Sequence, residues 1–403
     1  MTLPTMDMLD VNGKTVLVRL DLNVPMQAGR VSDDARIKRA IPTLQNLIER
    51  HAKVVILSHL GRPKGQVDLS ASLAPLVDIL SEALWDRPVG FAPDCVGNTA
   101  RLAVENAKPG DIILMENLRF HPEEEGNDAE FAKKLASLGD VFVNDAFSCS
   151  HRAHASIVGI NEHLPSAAGK LMQEEVNTLT QLFEEPARPF TAVVGGAKVS
   201  TKLELLGNLV EKVDKLIIGG AMANTFLHAQ GINVGASLCE TDLADTARNI
   251  LKTAENCGCE ILLPSDAVVT RQFRAHAAAE VVPVEAIPAG GMMLDIGPQS
   301  AVALSQALLE SKTVVWNGPV GAFETSPFDA STLQLARIVA GATKAGTLKS
   351  VAGGGDTVAA FNHAGLTKQL SYVSTAGGAF LEWLEGKELP GVAALQNSQK
   401  KAA

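Results

Sequence analysis

Short apolar runs rich in Val, Ile and Leu recur along the whole chain, each followed within a few residues by Gly, Asn, Asp, Ser or Arg and then by a stretch of helical length. They fall at 16–20, 54–58, 112–115, 141–144, 191–194, 215–218, 260–263, 313–316, 350–352 and 372–374. Unbroken apolarity, as opposed to alternation, is what a strand buried on both faces of a parallel sheet requires. The intervening segments 34–51, 73–84, 128–138, 202–213, 243–257 and 331–341 carry apolar residues at helical spacing. This rhythm predicts an α/β protein of doubly wound, Rossmann-like parallel sheets, whose ligands bind beyond the carboxyl ends of the strands.

Length sets the number of such sheets. A chain of 403 residues, 46% hydrophobic, exceeds the roughly 250–300 residues at which a single core stops growing, so two domains are expected. Residues 168–185 read as one helix, stopped by Pro186 and Pro189 before the next strand. Placing the boundary at this helix gives domains 1–170 and 171–384. The tail from Leu389 has no strand pattern, and its last residues are expected to fray.

Charge and cysteine usage narrow the partners. A formal net charge of −10 disfavours nucleic acid and acidic membrane. No run approaches the roughly 18–20 apolar residues of a membrane span, and Met1 to Asp10 lack a signal-peptide pattern, so a cytoplasmic protein is expected. Cys95, Cys149, Cys239, Cys257 and Cys259 are odd in number and scattered, which fits a reducing compartment. Cys257 and Cys259 lack the second close Cys or His pair that a zinc site needs.

The strand ends carry two kinds of anion site. Those of the first half present Arg19, Arg36, Arg62, Arg119 and Arg152 with His59, His151 and His154, so guanidinium and imidazole are the positive groups. Arginine forks suit a small polyanion; any one of these arginines alone is more often a surface ion pair, but four or five at successive strand ends or first helical turns are not. Asp21 and Asn23 could meet a substrate hydroxyl or could form the turn before Pro25. His151 and His154 have the i, i+3 spacing of a metal pair, but no third ligand follows in sequence, which favours hydrogen bonding to an anion.

In the second half, Gly195-Gly196-Ala197-Lys198 follows a strand and is expected to open a helix, with Lys198 and Lys202 on one face of its first turn. Backbone N–H groups and the helix end would meet a phosphate there. Gly353-Gly354-Gly355-Asp356-Thr357 repeats the arrangement and adds hard oxygen donors suited to Mg²⁺ on phosphates, or alternatively a helix N-cap. Neither loop matches the Walker A pattern, and no G-x-G-x-x-G follows the first strand, so a dehydrogenase is disfavoured.

R-x-D-x-N-V-P (19–25), H-L-G-R-P-K-G (59–65), L-R-F (118–120), H-R-A-H (151–154), G-A-K-V-S-T-K (196–202), W-N-G-P-V-G-A-F-E (316–324) and G-G-G-D-T (353–357) stand in one order along the chain. Over essentially its full length the sequence resembles phosphoglycerate kinase. The resemblance implies two Rossmann-like domains joined by a hinge helix, with residues from about 385 packing back on the first domain. It implies reversible phosphoryl transfer from 1,3-bisphosphoglycerate to Mg-ADP, giving 3-phosphoglycerate and ATP, in a monomer. By motif match, Asp21, Asn23, Arg36, His59, Arg62, Arg119, His151 and Arg152 would hold the phosphoglycerate. Gly196, Ala197, Lys198, Lys202, Gly219, Pro319, Glu324, Gly354, Gly355, Asp356 and Thr357 would hold ATP or ADP, with Asp356 at Mg²⁺. Arg36 and Lys198 would stabilise the moving phosphoryl group.

Two departures stand out. Ser148 replaces the glycine of D-A-F-G-x-A-H-R, and Ala376 the first glycine of S-T-G-G-G. The first raises the question of a positive φ; the second predicts, at most, lowered turnover. A catalytically silent phosphoglycerate or nucleotide sensor is the alternative, and the presence of Arg36, Lys198 and Asp356 counts against it. Glycolysis, gluconeogenesis and carbon fixation are equally compatible with a reversible reaction.

Overall fold

The structure is a computed structural model that describes residues 3–27 and 29–402. It divides into two compact units: one runs to Thr180 and includes the stretch from Glu388 onward, the other is Gln181–Lys387.

The first unit contains strands β1 (Thr15–Arg19), β2 (Met26–Gln27), β3 (Arg30–Val31), β4 (Lys53–Leu57), β5 (Val89–Ala92), β6 (Ile112–Met115), β7 (Val141–Asn144) and β8 (Ser166–Ala168). Its helices are α1 (Ala35–Glu49), α2 (Leu76–Ala83), α3 (Gly97–Asn106), α4 (Pro122–Glu125), α5 (Ala129–Ala136) and α6 (Lys170–Glu184), the last of which continues into the second unit. Six strands form a parallel sheet in the order β5-β6-β4-β1-β7-β8. Val16, Val18, Val54 and Ile56 point to one face, against Ile37, Leu44 and Leu80. Leu17, Val55, Leu57 and Phe142 point to the other, against Val104, Phe131 and Leu135. Successive strand residues alternate sides, so a sheet covered on both faces needs apolar residues at every position. Asp128 Oδ1 accepts the Phe131 N–H at 2.8 Å and so starts α5.

The second unit contains β9 (Phe190–Val194), α7 (Leu203–Val210), β10 (Lys215–Ile218), α8 (Ala221–Ala229), α9 (Ala244–Cys257) and β11 (Glu260–Leu262). It continues with β12 (Asp266–Thr270), β13 (Ala279–Pro283), β14 (Met292–Ile296), α10 (Pro298–Glu310), β15 (Thr313–Asn317) and α11 (Ala330–Lys344). It ends with β16 (Lys349–Ala352), α12 (Gly355–His363), β17 (Tyr372–Val373) and α13 (Gly378–Leu384). The parallel sheet runs β11-β10-β9-β15-β16-β17, and β13-β12-β14 form a separate antiparallel sheet. Trp316, wholly buried, meets the Phe361 ring edge-on at 5.2 Å between centroids, an orientation the ring quadrupoles favour.

Both parallel sheets reverse direction once. In the first the chain moves from β1 toward β4 and later returns to β7 on the other side of β1; in the second it leaves β9 toward β10 and returns to β15. The connections after these paired strands diverge and leave a crevice at each reversal.

The predicted tail is a helix, α14 (Pro390–Ala402), which packs on the first unit: the Gly391 N–H bonds Ser150 O at 2.9 Å. Ala403 lies outside the described residues. Among the described residues no helix is long and apolar enough to cross a membrane.

Candidate active site

In the first unit, the chain beyond β1 carries Asp21 and Asn23, and the first turn of α1 carries Arg36. Arg36 Nη1 donates to Asp21 Oδ2 at 2.5 Å and to Asn23 O at 3.2 Å. Asp21 Oδ1 accepts the Asn23 N–H at 3.1 Å, and Asn23 Oδ1 accepts the Gly61 N–H at 2.9 Å. Asp21 and Asn23 therefore build the loop and also leave their polar groups gathered at its surface. Arg119, in the 3₁₀ turn Leu118–Phe120 after β6, is nearly buried and donates to Gly61 O at 2.8 Å. Arg62 is exposed and has no hydrogen bond or ion pair among the described residues. After β7, Arg152 Nε donates to His151 Nε2 at 3.1 Å.

A layer of polar groups lies beneath this surface. Arg19 is 1% exposed; its Nε donates to Ser156 Oγ at 2.9 Å and its Nη2 to His59 Nδ1 at 3.0 Å. Ser156 Oγ in turn donates to Glu124 Oε1 at 2.6 Å, and Glu124 is wholly buried. Burial pushes the Glu124 carboxyl up, against the pull of Arg19.

Each histidine of the site is depressed. His59 is held well below its usual range by burial and then by Arg19. His151 is lowered by burial and then by Arg152, and His154 to about 3 by burial and the Arg119 and Arg19 charges. The expectation that imidazole adds positive charge is therefore corrected: at neutral pH these rings are uncharged, and guanidinium alone supplies it. Because Nδ1 of His59 accepts from Arg19, the ring's proton sits on Nε2. Donor atoms of Asp21, His59 and Cys149 converge within 4.8 Å, but the neighbouring Arg19 and Arg36 and a Cys149 thiol raised by burial disfavour a metal cation there.

In the second unit the crevice lies between the ends of β9 and β15. The helix after the Gly195–Lys198 loop begins only at Leu203, so Lys198 and Lys202 do not share its first turn, contrary to the spacing-based expectation. Lys198 is exposed in the loop, whereas Lys202 turns inward. Its Nζ donates to Gly195 O at 2.6 Å, Asn317 Oδ1 at 2.6 Å and Asn317 O at 3.1 Å, tying the two strand ends together. Burial lowers the Lys202 ammonium to about 8, with Asp356 acting in the opposite sense.

The third strand end joins the same network. Asn317 Nδ2 donates to Gly353 O at 2.9 Å, and Thr357 Oγ1 accepts the Gly318 N–H at 2.6 Å. Gly354 has φ +92°, and a Cβ there would lie 2.6 Å from Asn317 Nδ2, so only glycine fits. Gly355 and Asp356 open α12; the Asp356 carboxylate is exposed and makes no hydrogen bond among the described residues. Gly219 is buried, and a Cβ on it would come within 2.6 Å of Val320 Cα.

A cavity of about 350 Å³ opens beside these loops, bounded by Gly196, Ala197, Pro319, Glu324 and Asp356 among the predicted residues. Its opposite wall is apolar: Leu238, Phe273 and Met292 to Leu294. Sequence reasoning missed this wall, although the run Met292-Met293-Leu294 was its signal. It also named Arg19 without seeing that an arginine inside the apolar run 16–20 must be buried and therefore paired.

A family model described as phosphoglycerate kinase matches residues 6–387. The chain belongs to the phosphoglycerate kinase family. A phosphoglycerate kinase of Azorhizobium caulinodans is 59% identical over 395 residues, covering 98% of this chain and 99% of that one. One of a Ruegeria species is 58% identical over 97% of this chain and 99% of its own. Among solved structures, the Coxiella burnetii phosphoglycerate kinase superposes with a TM-score of 0.90 at 43% identity, covering 98% of this chain and 99% of that one. That from Pyrococcus horikoshii gives 0.83 at 32% identity with the same coverage. Members are phosphotransferases with a carboxyl group as acceptor.

Both departures from the family pattern sit in defined turns. Ser148 lies in the 3₁₀ turn Phe147–Cys149 and is not among the residues with positive φ. Ala376 is buried just before α13, and its N–H donates to Ser374 Oγ at 3.2 Å.

Proposed function

We propose that the chain catalyses the reversible transfer of a phosphoryl group between 1,3-bisphosphoglycerate and Mg-ADP, giving 3-phosphoglycerate and ATP, a reaction of glycolysis. The observation that carries the reading is the coexistence, in one chain of this family, of an arginine-lined crevice at the reversal of one sheet and a glycine-and-lysine crevice at the reversal of the other.

Asp21, Asn23, Arg36, His59, Arg62, Arg119, His151 and Arg152 hold the phosphoglycerate. Arginine forks take its carboxylate and phosphate, the uncharged His59 donates from Nε2, and Asp21 accepts its hydroxyl. Gly196, Ala197, Lys198, Lys202, Gly219, Pro319, Glu324, Gly354, Gly355, Asp356 and Thr357 hold the nucleotide. Glu324 faces the ribose, and the apolar wall of the cavity receives the base.

The free, exposed carboxylate of Asp356 fits a single hard-oxygen ligand for Mg²⁺. When bound, Mg²⁺ offsets phosphate charge. Phosphoryl transfer through a loose transition state asks the protein for positioning and charge stabilisation, and no general base is needed for a carboxylate acceptor. Arg36 from one unit and Lys198 from the other supply that stabilisation. Closure of the units about α6 then excludes water. The reading is of a monomeric, cytoplasmic enzyme with no nucleic-acid or membrane partner.

A coupled assay of transfer from Mg-ATP to 3-phosphoglycerate tests it. Turnover by the wild type that collapses in Arg36→Ala, with ATP still bound, supports the reading. Binding of ATP without any turnover would replace it with a ligand sensor.

A further inference from the structure

Ser148 reaches from the turn after β7 to the loop after β1: its Oγ donates to Asp21 Oδ2 at 2.5 Å. The same oxygen accepts Arg36 Nη1 at 2.5 Å, while Asp21 Oδ1 takes the Asn23 N–H at 3.1 Å. The Asp21 side chain is 10% exposed and that of Arg36 33%. β1 and β7 are hydrogen-bonded neighbours at the sheet reversal, so Ser148 bridges the two sides of the substrate crevice.

We infer that Ser148 is a positioning residue for the phosphoglycerate site, fixing the Asp21 carboxylate and, through it, the Arg36 guanidinium before substrate arrives. A glycine here, as in the family pattern, removes the Ser148 donor and leaves Asp21 Oδ2 with the Arg36 bond among the described residues. Arg36 is a long side chain on a separate helix, α1, with several rotatable bonds between its backbone and its guanidinium. The hydroxyl comes instead from a short side chain on a turn whose Cys149 N–H is bonded to Ala146 O at 3.0 Å. A hydrogen bond from such a donor to a charged acceptor restrains rotation of the carboxylate and keeps its remaining acceptor capacity aimed in one direction. The benefit is preorganisation, and it belongs to acceptor-substrate binding, not to the nucleotide.

The inference rests on the proposed assignment of this crevice to phosphoglycerate, and its test separates the two. Ser148→Ala, Ser148→Gly and Ser148→Thr are compared with wild type in kcat, in thermal midpoint and in the Michaelis constants toward phosphoglycerate and ATP. The affinity for phosphoglycerate is measured directly by calorimetry alongside. The Ala and Gly variants should weaken both the Michaelis constant and the calorimetric Kd toward phosphoglycerate about five- to tenfold, with the Michaelis constant toward ATP unchanged and a fall in kcat far smaller than that of Arg36→Ala, because Arg36 Nη1 still holds Asn23 O. The Thr variant, which restores the hydroxyl, should recover most of the loss. In an Asp21→Ala background, Ser148→Ala should add less than about twofold, because the acceptor is gone.

Unchanged phosphoglycerate binding in Ser148→Ala would overturn the inference, as would equal losses toward both substrates. An inactive wild type that still binds phosphoglycerate more tightly than Ser148→Ala would defeat the kinase reading and leave the positioning role standing. A wild type that binds no phosphoglycerate would overturn both.

Discussion

Asp145 Oδ1 accepts the Met172 backbone N–H at 3.0 Å, so a carboxylate from the end of β7 caps the helix that leads into the second unit. Asp145 is 1% exposed, and among the described residues its Oδ2 has no hydrogen-bond partner. Burial raises its carboxyl from 3.8 to about 7, with bonds from Thr43, Met172 and Leu171 holding it down. The cap thus changes charge close to neutrality.

Its linkage to stability has a definite sign. A carboxyl whose folded pKa lies above the unfolded one binds its proton more tightly in the folded chain. Its stabilising contribution is therefore complete below about 4 and is lost as pH rises through about 7. Asp145→Asn keeps an acceptor for Met172 and removes the titration. Urea unfolding at pH 5 and pH 8 should show a flatter dependence in the variant, which gains at pH 8 by on the order of 1 kcal/mol. An unaltered slope would remove Asp145 from the account.

Gly169 adjoins that carboxylate, and a Cβ there would overlap Asp145 Oδ1. Gly169→Ala should destabilise the protein by about 1–3 kcal/mol, read from the shift in urea midpoint. A neutral result would show that the cap can move aside freely.

Lys202 follows the opposite rule. Its folded value of about 8 lies below the unfolded 10.5, so the stability it contributes is present above about 10.5 and lost as pH falls through about 8. Under the proposed function its charge also meets a phosphate. Wild-type affinity for ATP should weaken between pH 7 and pH 9.5, and Lys202→Arg should flatten that trend in a titration followed calorimetrically. Lys202→Met, which strands Gly195 O and Asn317 Oδ1 without a donor while Asn317 O keeps the Gly195 N–H, should lower the unfolding free energy of the nucleotide-free protein by about 1–3 kcal/mol.

Thr357 accepts the Gly318 N–H at 2.6 Å. Thr357→Val preserves shape but leaves that buried donor unpaired. The Michaelis constant toward ATP should rise about five- to tenfold, with that toward phosphoglycerate unchanged, while Thr357→Ser stays within about twofold. Equal effects on both substrates would indicate a general loss of folding.

Arg36 makes contacts to both Asp21 and Asn23 from separate loop positions. Arg36→Ala should lower kcat about 10²–10³-fold, and Arg36→Lys should recover little of it, since an ammonium cannot spread donors across a fork. Steady-state rates at saturating ATP decide the matter.

Much of this was readable from residues. The strands of both parallel sheets that lie nearest the reversals are the long apolar runs, because burial on two faces leaves no room for alternation. β8 (Ser-Ala-Ala) escaped because small residues lack the β-branched bulk that marks a strand, and β5 (Val-Gly-Phe-Ala) because Gly90 and Ala92 break its apolar run. β13 is exposed along most of its length, so no apolar run announces it. The strand ends and first helical turns bearing Asp21, Arg36, Asp356 and Thr357 were legible as clusters, since charged or hydroxyl residues after an apolar strand have few other uses. The inward turn of Lys202 and the Arg19–Ser156–Glu124 chain were not, because both depend on which distant segments the sheets bring together.

On the proposed assignment, the lowered histidines leave the positive charge of the phosphoglycerate crevice to guanidinium. An imidazole-based anion site would strengthen as a cell acidifies, and its affinity would drift with every metabolic swing between pH 6 and 8. Here guanidinium groups hold their protons throughout, so the pH sensitivity of substrate capture passes to the ligand, whose phosphate takes up its second proton near pH 6. On the proposed assignment, the crevice then draws its positive charge from groups that do not titrate in this range.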